Sequence, residues 1–236
     1  MTVECWSHCP FAPKGKIILW DKQYKLYKHL WGERPSELAC FAVAYLQQSQ
    51  PSQKTIDIVD IGCGYGRDVL YLSQHIKCSI LGIDNSQKAI KMAKETCSEK
   101  HASDVTFQCC DFTELATDKY HVVLISNLYH LLKLEQRTKL REMVKSILEP
   151  SGLVFLSTLS VRDLEHYSKG IAVIDEDHSF LDEMYLHFCI REELECDFNF
   201  LAIKELYEHE YDEPRATGGT HHHISWILVG QYLDHI

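Results

Sequence analysis

The 236-residue chain has no apolar run long enough to cross a bilayer, which argues against a helical membrane span. Its opening stretch, MTVECWSHCPFAPKGK, lacks the basic start and apolar core of a secretory signal. Positive charge is scarce. Lys and Arg number 24 against 34 Asp and Glu, a net charge of −10 with pI about 5.7. A large nucleic-acid footprint normally shows as a basic face, so this balance speaks against one. Internal repeats and low-complexity tracts are absent. The ten cysteines are scattered and read as small buried hydrophobes in a reducing cytoplasm, not as a disulfide frame. Cys5, His8 and Cys9 lack the matching second pair of a metal clip. Cys109 and Cys110 are expected to end a buried strand, one facing each way.

What is present is an alternation of strand and helix patterns. Apolar runs at residues 56–61, 78–83, 105–109, 120–126 and 153–158 read as parallel strands, with helices at 66–75, 86–98 and 134–148 between them. Ser86 suits a helix N-cap, and 150–152 (Pro-Ser-Gly) suits a turn. Residues 200–209 and 222–233 read as a sixth and seventh strand. Turn residues between them (Asp212-Glu213-Pro214, Gly218-Gly219) allow antiparallel pairing. Before the series, 21–31 and 35–45 read as helices of an N-terminal cap, with Gly32 as a stop. Residues 161–199 break the alternation with a short helix, a mixed segment at 170–180 and a helix near 191–196. The division expected is a helical cap or lid over 1–50 and an α/β domain over 51–236, with 161–199 inserted on the substrate side.

The densest chemistry lies in Val59-Asp60-Ile61-Gly62-Cys63-Gly64-Tyr65-Gly66-Arg67-Asp68. A strand stops at a glycine-rich turn and opens a helix, so backbone can approach a ligand and free N–H groups are on offer. Leu81-Gly82-Ile83-Asp84-Asn85-Ser86 ends the next strand in an acid able to accept both hydroxyls of a ribose. Together they mark a nucleoside-containing cofactor at the carboxyl ends of a parallel sheet. The spacing is G-x-G-x-G, one residue short of the dinucleotide fingerprint. Asp60 would repel a pyrophosphate but suits an ammonium group or a bound water.

This pattern resembles the first motif of class I S-adenosylmethionine-dependent methyltransferases. The resemblance covers roughly residues 56–233. It implies a Rossmann-like, mostly parallel seven-stranded sheet with a reversed last strand and helices on both faces. It implies that Gly62, Gly64 and Gly66 line the methionine half of the cofactor, that Asp84 holds the ribose, and that adenine lies near Asp111. Asp111 can also accept from adenine's amine while Phe112 covers a ring face, and it equally suits an N-cap. Cys63 and Asn85 within the same motifs, and Ser126 and Asn127 at the fourth strand's tip, complete the expected cofactor contacts with Asp60. Trp31-Gly32-Glu33-Arg34-Pro35-Ser36 after an aromatic helix, with Gly66-Arg67-Asp68, resembles the small-molecule branch that includes tellurite-resistance and thiopurine methyltransferases. Tyr24 and Trp31 are expected as lid residues, their faces attracting the sulfonium.

Asn127 is not followed by the prolines of the motif used on nucleic-acid or protein amino groups. The expected acceptor is therefore a small sulfur, selenium, tellurium, nitrogen or oxygen nucleophile. Rival readings are a nucleic-acid or protein methyltransferase, and a non-catalytic module that binds the cofactor. Tyr129 and His130 stand nearest the reacting methyl. His209, Glu210 and His221-His222-His223 fall on the edge where the reversed strand begins, with His221 and His223 on one face. Substrate pocket, solvated turn and metal site are all open readings of that run, and no metal ligand is assigned. Tyr129, His130, His209 and His223 are the candidate catalytic residues. The acidic run Asp175, Glu176, Asp177, Asp182, Glu183 reads as a solvated face or a greeting for a cation. Oligomeric state is open.

Overall fold

The computed structural model describes residues 14–26, 31–49, 54–100, 102, 104–182, 184–214 and 219–233. Cys5, His8 and Cys9 lie outside them. Five strands, β1 (Ile56–Ile61), β2 (Cys78–Asp84), β3 (Val105–Cys109), β4 (Tyr120–Ile125) and β5 (Leu148–Leu159), alternate with helices. The helices are α3 (Arg67–His75) between β1 and β2, α4 (Gln87–Glu99) between β2 and β3, and α5 (Leu134–Ile147) before β5. The chain closes with β9 (Leu201–Pro214) and β10 (Thr220–Tyr232). The sheet order is β3-β2-β1-β4-β5-β10-β9, with only β10 antiparallel to its neighbours. The expected seven-stranded sheet with a reversed last strand is therefore present.

Both faces of this sheet are buried, as parallel strands require. Strand alternation sends Ile61, Val123, Ile125, Leu156 and Leu228 to one face, beneath Leu140 and Val144 of α5 and Leu194 of α6 (Arg191–Asp197). Ile58, Val122, Leu124, Phe155 and Ile227 go to the other. That face is covered by Leu38, Val43 and Leu46 of α2 (Glu37–Ser49), Val69 and Leu72 of α3, and Ile90 of α4. Within the expected cap, α2 thus belongs to the sheet's helical layer, whereas α1 (Lys14–Leu26) lies at the sheet's edge against α4.

Several boundaries differ from the sequence expectations. The first helix already runs before Asp21, its described span being Lys14–Leu26. Apolar Ile17, Ile18 and Leu19 already continue its pattern before Asp21, and Trp31 sits in a turn. The Pro-Ser-Gly turn is absorbed into β5 as an irregularity. Ser151 takes φ +65°, and the pairing with β4 jumps from Tyr120↔Leu148 to Val122↔Leu153. Asp212, Glu213 and Pro214 are strand residues, because His221 pairs with Glu213 and Thr220 with Pro214. The β9–β10 hairpin therefore rises past the sheet's edge. Between 161 and 199 the expected short helix is a set of turns. A separate three-stranded antiparallel sheet follows, formed by β6 (Ile171–Ala172), β7 (Ser179–Leu181) and β8 (Tyr185–His187). Cys109, the last residue of the edge strand β3, is exposed, and Cys110 beyond it is half-buried. No helix among the described residues is long and apolar enough to cross a membrane.

Candidate active site

The strand order reverses between β1 and β4, and ligands of open α/β sheets lie outside such a switch point. Here a cavity of about 710 Å³ opens, within the usual range for small-molecule sites. Asp60, Gly62, Cys63 and Gly64 form its floor. Gly62 and Gly64 take φ of +81° and +53°, a left-handed turn that brings bare backbone to the cavity. Gly64 N–H donates to Asp84 Oδ2 at 3.0 Å and Ser86 N–H to Oδ1 at 2.8 Å. Asp84 therefore ties the glycine turn to the tip of β2. Ser86 caps α4, its Oγ accepting from Ala89 N–H at 3.1 Å.

Asp84, Asn85, Asp111 and Phe112 line one side of the cavity and Ser126 and Asn127 another. Asp111 fills both roles open to it. Its Oδ1 accepts from Thr113 N–H at 3.0 Å as a cap, and the residue borders the cavity. Asn127 holds φ +53° at the end of β4, fixed by Ser157 Oγ, 3.1 Å from its N–H and 3.2 Å from its Oδ1.

Trp20, Tyr24 and Trp31 roof the cavity. Helix α1 is fastened across α4 by Asp21, whose carboxylate accepts from Ser86 Oγ at 2.5 Å and from Lys88 N–H at 3.2 Å. The following turn is fastened by Arg67, which donates to the carbonyls of Trp31 and Arg34 and to Glu213 Oε1 at 3.2 Å. Tyr65 donates to Gly32 O at 2.6 Å, and Ser36 N–H and Oγ both donate to Asp68. The motif helix thus holds its own lid. Arg67 and Glu213, which join lid to hairpin across the sequence, carry no local signal of that role.

The far end of the cavity is rich in histidine. His130, His166, His221 and His223 face it, with Tyr211 and Glu213 beside them. His130 is buried, and its Nδ1 has no hydrogen-bond partner among the described residues. Burial, reinforced by His223 and His187, pushes it down to about 3, so the ring is neutral at physiological pH. His223 Nδ1 lies 3.1 Å from Asp163 Oδ2, and His166 Nδ1 lies 2.8 Å from Asp163 Oδ1. Burial alone would raise the Asp163 carboxyl, but the His166 and His223 hydrogen bonds outweigh it and hold the group below the usual carboxylate range. His222 points to the opposite face, 3.2 Å from Asp212, and Glu210 is exposed.

Three candidate residues are not in the cavity. Tyr129 is fully buried under the loop, donating to Asp197 and accepting from Arg141 Nη1 at 3.0 Å. Burial and the Asp197 charge push its hydroxyl far up, which suits a structural pin and not a base. His209 sits five residues, about 17 Å, short of Pro214 at the hairpin's upper end, and meets Glu37 at 3.4 Å at the start of α2. Gly66 serves packing: a Cβ there would lie 2.9 Å from Ala93 Cβ and 3.0 Å from the Phe107 ring. In the acidic run, Glu176 accepts from Leu134 N–H and Tyr185 Oη, and Asp182 borders the cavity.

The cradle fits the expected cofactor at one telling point. Both Asp60 oxygens are buried without a partner among the described residues. Burial, with the charges of Asp68 and Asp84, pushes this carboxyl well above the usual range. An ammonium group would repair the deficit. Because the folded state holds the proton to higher pH than the unfolded chain, stability falls as pH rises out of the ordinary carboxylate range. Asp60→Asn removes that cost. The ligand-free variant is expected to exceed the parent by about 1–3 kcal/mol at pH 8 and to lose that advantage near pH 4, as read by urea unfolding. Its cofactor affinity should fall.

Residues 58–152 match the family model described as "Methyltransferase domain". A 2-heptyl-1-hydroxyquinolin-4(1H)-one methyltransferase of Mycobacteroides abscessus is 26% identical over 131 residues, 51% of this chain and 57% of that protein. The chain spans about half the length of the curated relatives it matches. An S-adenosylmethionine-dependent methyltransferase from Methanosarcina mazei superposes with TM-score 0.67 at 19% identity, covering 78% of this chain and 95% of that one. The 1,6-didemethyltoxoflavin-N1-methyltransferase of Burkholderia thailandensis, solved with 1,6-didemethyltoxoflavin and S-adenosylhomocysteine, gives TM-score 0.66 at 14% identity over 97% and 94% of the two chains. Sheet order, glycine turn and matched domain agree: residues 58–152 match a methyltransferase domain, and the chain has the fold of the S-adenosylmethionine-dependent methyltransferases it superposes on.

Proposed function

We propose that this protein transfers a methyl group from S-adenosylmethionine to a small-molecule nucleophile. One observation carries the reading: one cavity holds the glycine cradle, with Asp60 unpartnered among the described residues, at one end and a histidine-rich lining at the other. The lid residues Trp20, Tyr24 and Trp31 and the small β6–β8 sheet leave room for a compact acceptor. The named activity of the M. abscessus relative, on a heteroaromatic small molecule, supports the same class.

When bound, the cofactor supplies a methyl group that is already electrophilic. The chain's share is alignment and exclusion of water. Asp60 would take the ammonium group, Gly62 and Gly64 would admit the chain of the cofactor at close range, and Asp84 the ribose. Asp111 and Phe112 would hold adenine, and Ser126 and Asn127 would stand beside the reacting centre. Tyr24 and Trp31 would face the cation. His130, neutral and with a free Nδ1, would orient the acceptor by one hydrogen bond instead of removing its proton.

The test is release of S-adenosylhomocysteine from S-adenosylmethionine with a panel of small thiols, metalloid anions and hydroxylated heteroaromatics. Turnover with at least one is expected. His130→Gln should lower kcat by about threefold to tenfold, one neutral hydrogen bond's worth, and leave the S-adenosylhomocysteine Kd unchanged. Turnover only with RNA or protein would replace the acceptor class. Tight binding without turnover on any acceptor would make the chain a non-catalytic cofactor-binding module.

A further inference from the structure

The histidines at the acceptor end form a set that the sequence did not bring together. His221 and His223 come from one face of β10, and His166 comes from the turns after β5, 55 residues earlier than His221. One ligand nitrogen from each lies within 4.8 Å of the others. The His166 Nε2 to His221 Nδ1 distance is 3.1 Å. Two imidazole nitrogens on a tetrahedral zinc-like ion at 2.0–2.1 Å stand about 3.3 Å apart, so the side chains need to move only by tenths of an ångström there.

The surroundings are those of an oriented ligand set. The Asp163 side chain is 1% exposed and meets both His166 Nδ1 and His223 Nδ1. An ionised carboxylate only accepts, so both rings must donate from Nδ1, which leaves each Nε2 as a lone pair. A carboxylate behind the imidazole is the usual means of fixing the tautomer and raising ligand basicity. Glu213 Oε2 lies 3.9 Å from His223 Nε2, adding a second negative charge near the set. The three rings are near-parallel, with centroid spacings of 4.6–5.6 Å. A divalent cation between the nitrogens would hold the stack together.

We propose that His166, His221 and His223 bind one divalent transition-metal ion, zinc or a chemically similar ion, with Asp163 as the positioning residue behind two of them. Three protein nitrogens leave a fourth position, and all three histidines border the cavity. That position would take the ionisable thiol or hydroxyl of the acceptor. Coordination favours the deprotonated heteroatom, whose proton goes to solvent. This role for the ion rests on the methyl-transfer reading; the binding of the ion does not.

The experiment uses the full chain, freed of metal by chelation and titrated with Zn²⁺ by calorimetry and with Co²⁺ by visible absorption. S-adenosylhomocysteine binding is measured on the same samples. One Zn²⁺ per chain and the intense visible bands of four-coordinate Co²⁺ are expected. His166→Ala and His221→Ala should each lose this binding, and Asp163→Asn should weaken it by about 10–100-fold. S-adenosylhomocysteine affinity should persist in both histidine variants, showing that they are folded. Absence of Zn²⁺ and Co²⁺ binding in the parent, or binding that survives in the histidine variants, overturns the site. Neither result touches the methyl-transfer reading, which fails instead if the parent binds no S-adenosylhomocysteine.

Discussion

Asp84→Ala is expected to weaken S-adenosylmethionine and S-adenosylhomocysteine binding by about 1.5–3 kcal/mol, one hydrogen bond to a charged group. That is roughly 10–150-fold in Kd. The structure adds a second route to the same loss. The carboxylate receives Gly64 N–H at 3.0 Å and Ser86 N–H at 2.8 Å, so it shapes the glycine turn as well as facing the cavity. Asp84→Asn keeps an acceptor for one N–H and should fall between parent and Ala. Asp84 stands at the tip of β2 and not in the apolar core, so both variants should stay folded, the Ala variant with a lowered urea midpoint because it leaves the Gly64 and Ser86 N–H groups unpaired. Equal affinity in parent and Ala variant would put the ribose elsewhere.

Gly66→Val is expected to act on the fold first. The residue holds φ +79°, a conformation that a β-branched side chain avoids, at about 1–2 kcal/mol. Its new Cβ would stand 2.9 Å from Ala93 Cβ on α4 and 3.0 Å from the Phe107 ring on β3. Neither neighbour is the loose end of a flexible chain, so crowding adds about 1–3 kcal/mol. The combined loss of about 2–5 kcal/mol corresponds to roughly 5–15 °C in Tm for a chain of this size. Gly219→Ala is the control: it shares a positive φ of +85°, but its new Cβ would meet nothing within 4 Å among the described residues, so the backbone cost dominates. Similar Tm losses in the two variants would show that the packing between α3, α4 and β3 is looser than these distances imply.

Much of this architecture was legible in the sequence for a physical reason. Strand 56–61 is buried almost throughout and reads as an apolar run, and the bounds expected for it and for the edge strand at 105–109 are those observed. The glycine turn, Asp84 and the Ser86 cap were legible because each depends on residues within a few positions. What depends on distant partners was not. Tyr129 follows a strand tip and so resembled a base, but Asp197 and Arg141, far along the chain, claim its hydroxyl. His209 was placed at the edge because the hairpin's true length, set by the pairing of His221 with Glu213, is not visible locally. Gly66 looked like a ligand-side glycine, yet Ala93 and Phe107 decide its size. His166 gave no periodic signal, although Asp163-Leu164-Glu165-His166 in a turn before a His-x-His strand was a clue. The strands of β6–β8 are two or three residues long, too short for alternation to register.

The central claim is that this cavity takes the adenosyl cofactor in the cradle of Gly62, Gly64 and Asp84. Its most direct test is calorimetric titration of the full chain with S-adenosylmethionine, S-adenosylhomocysteine and NAD, in parallel with Asp84→Ala. Saturable binding of both adenosyl ligands, weakened at least tenfold in the variant and absent for NAD, is the predicted result. Failure to bind either one, or a preference for NAD, would contradict the account.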